Sequence, residues 1–222
     1  MYHQSQDVNA PLALVFHHCP QQGGNMDYQV VNDLYMSFVK NNFSVLKINF
    51  RGVGKSTGVF DKSGIGELVD AAISIDWLQE RNSNSNVVWA AGFSFGGWVA
   101  MQLAMRRPEV AGFIAISPPV TKYDFSFFSP CLVPGLIIQG KEDNFSEEST
   151  VSNLANRLIN SAKSQYMQYH VVDGSNHFFR DTAEDANFIV DNYIKLRLSD
   201  SVQNTTYDGI NKRVRRRIKE YA

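Results

Sequence analysis

The sequence predicts an α/β protein built on a mostly parallel sheet of about six to seven strands with helices on both faces. Two observations carry this. Short runs rich in Val, Ile, Leu and Phe recur at 12–16, 43–49, 87–91, 112–116, 135–139 and 167–172, without the polar alternation of half-exposed strands. Amphipathic stretches separate most of them. Residues 28–40 carry Val31, Leu34, Tyr35 and Phe38 at helical spacing, and 65–79 carry Leu68, Val69, Ala72, Ile73, Ile75 and Leu78. Residues 146–159 behave likewise, and 181–198 place Ala186, Ile189, Val190 and Tyr193 on one face. In such a sheet the loops past the carboxyl ends of the strands open between helices, so chemistry is expected there.

With 222 residues and 44% hydrophobic content, the chain can bury one sizeable core, and no composition shift marks a second domain. One domain is expected over 1–198, followed by a polar linker and a basic amphipathic tail over 199–222. The charges nearly cancel, 21 basic against 22 acidic, which argues against a surface built as a whole for nucleic acid or anionic lipid. No apolar run is long enough to span a bilayer, and the first eleven residues are polar without a basic start. Cys19 and Cys131 form no Cys-X-X-Cys pair, so free thiols and a cytoplasmic setting are expected. His17, His18 and Cys19 are adjacent, but neighbours at a strand end point to opposite sides and do not converge on one ion. Neither metal nor cofactor is expected; the expected partner is a small acyl substrate.

The third strand, 87–91, runs directly into Gly92-Phe93-Ser94-Phe95-Gly96 and then into a helix-compatible segment with Trp98, Val99, Leu103 and Ala104. Taken alone, a Gly-X-Ser-X-Gly pattern can be a small-residue turn. Placed between strand and helix it reads as a nucleophile elbow, whose sharp turn leaves no space for a Cβ at the flanks. Ser94 is the candidate nucleophile, and the amide of Phe95, at the helix start, is a candidate oxyanion donor.

A serine hydroxyl needs a neutral imidazole to take its proton, and the imidazole needs an acid to fix its tautomer. Asp143 follows the strand 135–139 at the expected edge; Glu142 beside it is the alternative acid. His177 lies on a glycine-containing loop before the last helix and completes the chain order Ser, Asp, His. Of the other histidines, His3 falls in an N-terminus expected to fray, His170 lies within a strand, and His17 and His18 precede the nucleophile. A second oxyanion amide is expected from the loop 17–24. Pro20 has no N–H, leaving Cys19 as the leading donor with His18 or Gln21 as rivals.

These residues resemble the α/β-hydrolase superfamily, and within it the small lidless bacterial hydrolases related to dienelactone hydrolases and serine esterases. The resemblance covers most of 11–198. Beyond the elbow it rests on His17 to Gly24, similar to a His-Pro-His-Pro...Gly-Gly loop, and on Asn49-Phe50-Arg51-Gly52-Val53-Gly54-Lys55-Ser56, similar to Phe-Arg-Gly-X-Gly-X-Ser. Gly140 to Asp143 and Gly174 to His177 complete it. It implies an α/β-hydrolase fold and a Ser-His-Asp serine hydrolase of carboxylesterase type acting on an ester, thioester or similar acyl bond. Two departures stand out. His18 and Cys19 occupy the places of Pro and His, and the short N-terminus implies that the leading antiparallel hairpin is missing or shortened.

Only 117–134 separates the fourth and fifth strands, too little for a lid domain. Its Tyr123, Phe125, Phe127 and Phe128 could line an acyl pocket or pack on the core. Gly54-Lys55-Ser56-Thr57 imitates a phosphate-binding loop, but Asn49 stands where that pattern requires glycine. In the tail, Lys212, Arg213, Arg215, Arg216, Arg217 and Lys219 accompany an apolar stripe of Ile210, Val214, Ile218 and Tyr221. Such a charge run is expected to be a solvated face; docking onto its own domain, a partner, RNA or acidic lipid are the alternatives. The alternatives to an esterase are a catalytically idle binding protein of the same fold, an acyltransferase and a peptidase using the same three residues.

Overall fold

The computed structural model describes residues 1–200 except 129, 130, 132 and 163–165. Its sheet has seven strands in the order β1-β3-β2-β4-β5-β6-β7. These are β1 (Tyr2–His3), β2 (Leu12–Phe16), β3 (Ser44–Lys47), β4 (Val88–Phe93), β5 (Val110–Ile116), β6 (Gly135–Gly140) and β7 (Met167–Val172). All neighbours pair in parallel except β1, which runs antiparallel to β3. The helices are α1 (Gln29–Lys40), α2 (Ile65–Arg81), α3 (Phe95–Arg106), α4 (Glu148–Ala162) and α5, residues 183–200.

Alternation along each strand divides the core into two apolar clusters. Leu12, Leu14 and Phe16 of β2 point into the cluster that also holds Ile75 of α2, Val99 of α3 and Leu154 of α4. Ala13 and Val15 face the opposite layer, where α1 and α5 contribute Leu34, Phe38, Val190 and Tyr193. Helices on both faces bury every residue of β2 and β4, which is why these strands read as unbroken apolar runs.

Three expectations change. The N-terminus does not fray: the Met1 ammonium donates to the Lys47 carbonyl at 2.8 Å, and Tyr2 and His3 pair with Leu46 and Val45. Among the described residues, the antiparallel edge of the sheet is the two-residue strand β1. On α2, Val69 and Ile73 are 48% and 59% exposed, because the buried face is set by Ala71, Ile75 and Leu78, and positions 69 and 73 turn away from it. Finally, α5 continues through residue 200, so Ser199 and Asp200 belong to it rather than to a linker. The remainder of the tail, 201–222 with its basic cluster, lies outside the described residues. Among the described residues no helix is long and apolar enough to cross a membrane.

His17 ties two carboxyl-edge loops together. Its Nε2 accepts the Phe50 amide at 3.1 Å and its Nδ1–H donates to the His18 carbonyl at 2.6 Å, so only the neutral ring satisfies both contacts. Burial holds the pKa of His17, and likewise that of His18, down to about 4 from the ordinary 6.5. The unfolded chain therefore takes up protons that the folded one refuses. Stability is complete above 6.5 and is lost as the pH falls from there towards 4. Replacing His17→Leu strands the Phe50 amide and should cost about 1–3 kcal/mol near neutral pH. In urea unfolding, the difference between wild type and variant should shrink on acidification across that window; a constant difference would contradict the buried neutral imidazole.

Candidate active site

Ser94 alone joins the end of β4 to the start of α3. Its backbone sits at φ 51° and ψ −117°, a strained conformation that persists only where the surroundings dictate it. The neighbouring glycines show why the turn is so tight. A Cβ on Gly92 would lie 2.2 Å from the Gly96 carbonyl, and one on Gly96 would lie 2.4 Å from the Phe16 carbonyl oxygen. With both flanks pressed against backbone, no side chain larger than hydrogen fits. The Ser94 amide donates to the Ile116 carbonyl at 2.7 Å, anchoring the turn to β5.

Asp143 sits in the loop after β6 with both carboxylate oxygens occupied. Its Oδ1 accepts the amides of Phe145 at 2.7 Å and Ser146 at 2.9 Å; its Oδ2 accepts Gln139 Nε2 at 2.9 Å and lies 2.7 Å from His177 Nδ1. The other ring nitrogen of His177, Nε2, lies 3.1 Å from Ser94 Oγ. All three side chains are buried. Burial alone would raise the Asp143 carboxyl, but the hydrogen bond and charge of His177 and the two loop amides outweigh it, so its pKa is lowered. The His177 ring packs against Phe93, Phe145 and Phe178, with centroids 5.2, 4.9 and 5.1 Å away.

The rival residues lie elsewhere. Glu142 is exposed and its amide donates to the Ser175 carbonyl. His17 holds the loops described above, while the His18 ring is buried against Tyr28 and Phe93. His170 lies on β7 with its Nε2 3.2 Å from Gln168 Oε1.

Ser94 and His177 open into a pocket of about 250 Å³ that Cys19, Gln21 and Phe95 also line. The amides of Cys19 and Phe95 donate to no group among the described residues. Phe95 heads α3, where the first amides have no helical acceptor and the dipole favours negative charge. Gln21, a rival donor, reaches this pocket too; His18 does not line it.

Of the four aromatic residues considered for an acyl pocket, only Tyr123 lines it. Phe125 and Phe128 are buried in the core, and Phe127 packs against it. They follow the helix they cover, since 3-10 turn Ser126–Phe128 folds them onto α3 and β5. In their place stand Phe145, Pro119, Lys62 and Lys122. Nothing in the local sequence marks these residues as pocket walls. Gln139 is not among the residues expected from the sequence, although an amide at the carboxyl end of an otherwise apolar strand, four residues before Asp143, is a readable signal.

The X-Pro dipeptidyl-peptidase (S15 family) model matches residues 2–191. An uncharacterized protein of Rickettsia prowazekii is 47% identical over 196 residues, covering 87% of this chain and 82% of its own length. Among solved structures, a protein of unknown function from Agrobacterium tumefaciens, described as an α/β hydrolase, superposes with a TM-score of 0.85 at 40% identity, covering 90% of this chain and 91% of that one. A lidless α/β serine hydrolase from Xanthomonas campestris gives a TM-score of 0.73 at 28% identity, covering 86% and 85% of the two chains. With the seven-stranded sheet and its helices on both faces, the chain is an α/β-hydrolase of the serine-hydrolase type and belongs to the X-Pro dipeptidyl-peptidase (S15) family.

Proposed function

We propose that this hydrolase cleaves an ester, thioester or similar acyl bond through a covalent acyl-enzyme on Ser94. The observation that carries the reading is the unbroken contact from Ser94 Oγ to His177 Nε2, 3.1 Å, and from His177 Nδ1 to Asp143 Oδ2, 2.7 Å. As Ser94 Oγ attacks the carbonyl carbon, its proton passes to His177 Nε2 and the carbonyl oxygen becomes an oxyanion facing the Phe95 and Cys19 amides. Collapse expels the leaving group, which takes the proton from His177. Water then repeats the sequence and frees the acid. Asp143 keeps Nδ1 protonated and balances the imidazolium that forms.

The family match favours a second reading, a peptidase acting on an amide by the same steps. Release of an N-terminal dipeptide needs a group that reads the substrate's ammonium, normally a carboxylate. No acidic residue is among the described residues lining the pocket, whereas two lysines are. This favours acyl esters or thioesters over amino-terminal peptides.

Ser94→Ala should lower the hydrolysis of short 4-nitrophenyl esters by about 10⁴-fold or more and abolish labelling by a serine-directed fluorophosphonate. Unchanged turnover in that variant would end the proposal, and a wild type inert to both probes would favour a binding role.

Gln139 acts as a positioning residue, since its amide holds the same Asp143 oxygen that faces His177. Gln139→Met keeps the volume and removes the donor. Its kcat should fall by on the order of ten- to a hundredfold with KM little changed. Freed of this bond, the carboxylate stabilises the imidazolium more strongly, so the acid limb of the rate profile should move to higher pH. A lower rate with an unmoved acid limb would reduce Gln139 to a packing residue.

A further inference from the structure

The pocket beside Ser94 carries an unbalanced charge. Lys62 and Lys122 both line it, and no Asp or Glu does so among the described residues. In a chain whose formal net charge is −1, two lysines at one mouth without a carboxylate facing them are a local departure from balance. Neither lysine forms an ion pair with any described residue.

The nearest acids along the chain are committed to local turns. Asp61, beside Lys62, accepts the Ser63 amide and hydroxyl and the Gly66 amide, at 2.9, 2.8 and 3.1 Å. Asp124, two residues past Lys122, accepts the Ser126 amide and hydroxyl, each at 2.8 Å. Each carboxylate thus has its acceptors engaged by its own turn, and the ammonium donors of Lys62 and Lys122 form no ion pair with either.

The lysine positions follow from the active-site loops. Lys122 Nζ lies 5.3 Å from the centroid of the Phe145 ring, and Phe145 lies 4.9 Å from the His177 ring. A stack from ammonium to aromatic ring to imidazole places a positive charge over one wall of the site. Lys62 reaches the pocket from the loop before α2, a separate element. Cations from two loops converging on one cavity that holds a reactive serine define a subsite for a negative charge.

We propose that the natural substrate is an acyl compound carrying an anionic group, a carboxylate or a phosphate, held by Lys62 and Lys122 while its carbonyl lies at Ser94. The inference rests on Ser94 hydrolysis for its chemical step and on the pocket's charge for its specificity. Both lysines are exposed, so their attraction is partly screened by water and salt.

The test compares two esters with one leaving group and one chain length, 4-nitrophenyl hexanoate and mono-4-nitrophenyl adipate, after subtracting spontaneous hydrolysis. Wild type should favour the adipate by about tenfold in kcat/KM at low ionic strength, with the preference fading in high salt. Lys62→Ala and Lys122→Ala should each lower this ratio by about threefold and the double variant should erase it; a ratio cancels differences in the amount of active enzyme. A wild-type ratio at or below unity, or one unaffected by either substitution, would overturn the proposal.

A second readout does not depend on turnover. Adipate dianion, but not 1,6-hexanediol, should raise the thermal midpoint of the wild type, and the double variant should lose this shift. If neither ester is cleaved but the dianion still stabilises, the hydrolytic reading fails while the anion subsite stands. If the esters are cleaved without preference and the dianion has no effect, the subsite fails while the hydrolase stands. A parallel titration with inorganic phosphate separates the two anion classes, the tighter ligand naming the group.

Discussion

Backbone meets backbone at the crossing of β4 and α3, where Gly92 faces Gly96 and Gly96 faces the carbonyl ends of β2. A side chain at either position would have to occupy space already filled by main-chain atoms, so the strand-to-helix turn can close only around glycine. That closeness dictates the positive φ of Ser94 and leaves its Oγ at the carboxyl edge of the sheet, at the head of a helix whose first amides are free. The same crossing brings the loop after β2 against α3, which places Cys19 beside Phe95. Strain at one residue is thereby held by the packing of three elements, and the surrounding site geometry depends on it.

A second constraint is the buried charge at Asp143. A carboxylate out of water is costly unless its lone pairs are used, and here four donors from four residues use them. Three of these donors, Gln139 on β6 and the amides of Phe145 and Ser146, lie within eight residues of one another along the chain, so the carboxylate is held by its own loop and strand as well as by His177. Phe93, Phe145 and Phe178 then enclose the imidazole and limit water around it. Lys47 follows the same rule on the other side of the sheet, where its buried ammonium donates to the Met26 carbonyl, Asp27 and Asn32. Lys62 and Lys122 differ from it in having no ion-pair partner among the described residues, although both line the pocket.

Much of this architecture was legible in the sequence because both of its signals are local. Apolar runs marked β2 to β7 within a few residues of their observed ends, and β2 to β6 need no polar side because they are buried along nearly their whole length. That Ser94, Asp143 and His177 meet was legible because each falls just past a strand, and the fold brings those strand ends to one edge. The features without a local signal are relational. The two-residue strand β1 carries too little pattern to be seen and exists through its pairing with β3. Val69 and Ile73 fit a helical stripe as well as Ala71 and Leu78 do, and only the position of the sheet selects which stripe is buried.

The sequence by itself determined the order of elements, the glycine-flanked turn and the residue types at the carboxyl edge, because these depend on neighbours along the chain. Tertiary structure alone decided that Gln139 grips Asp143, that His17 clamps two loops, that Phe125 and Phe128 enter the core, and that two lysines from separate loops share one pocket. Each of these is a contact between segments whose separation in sequence carries no information about their separation in space. Their partners are fixed only when the layers pack.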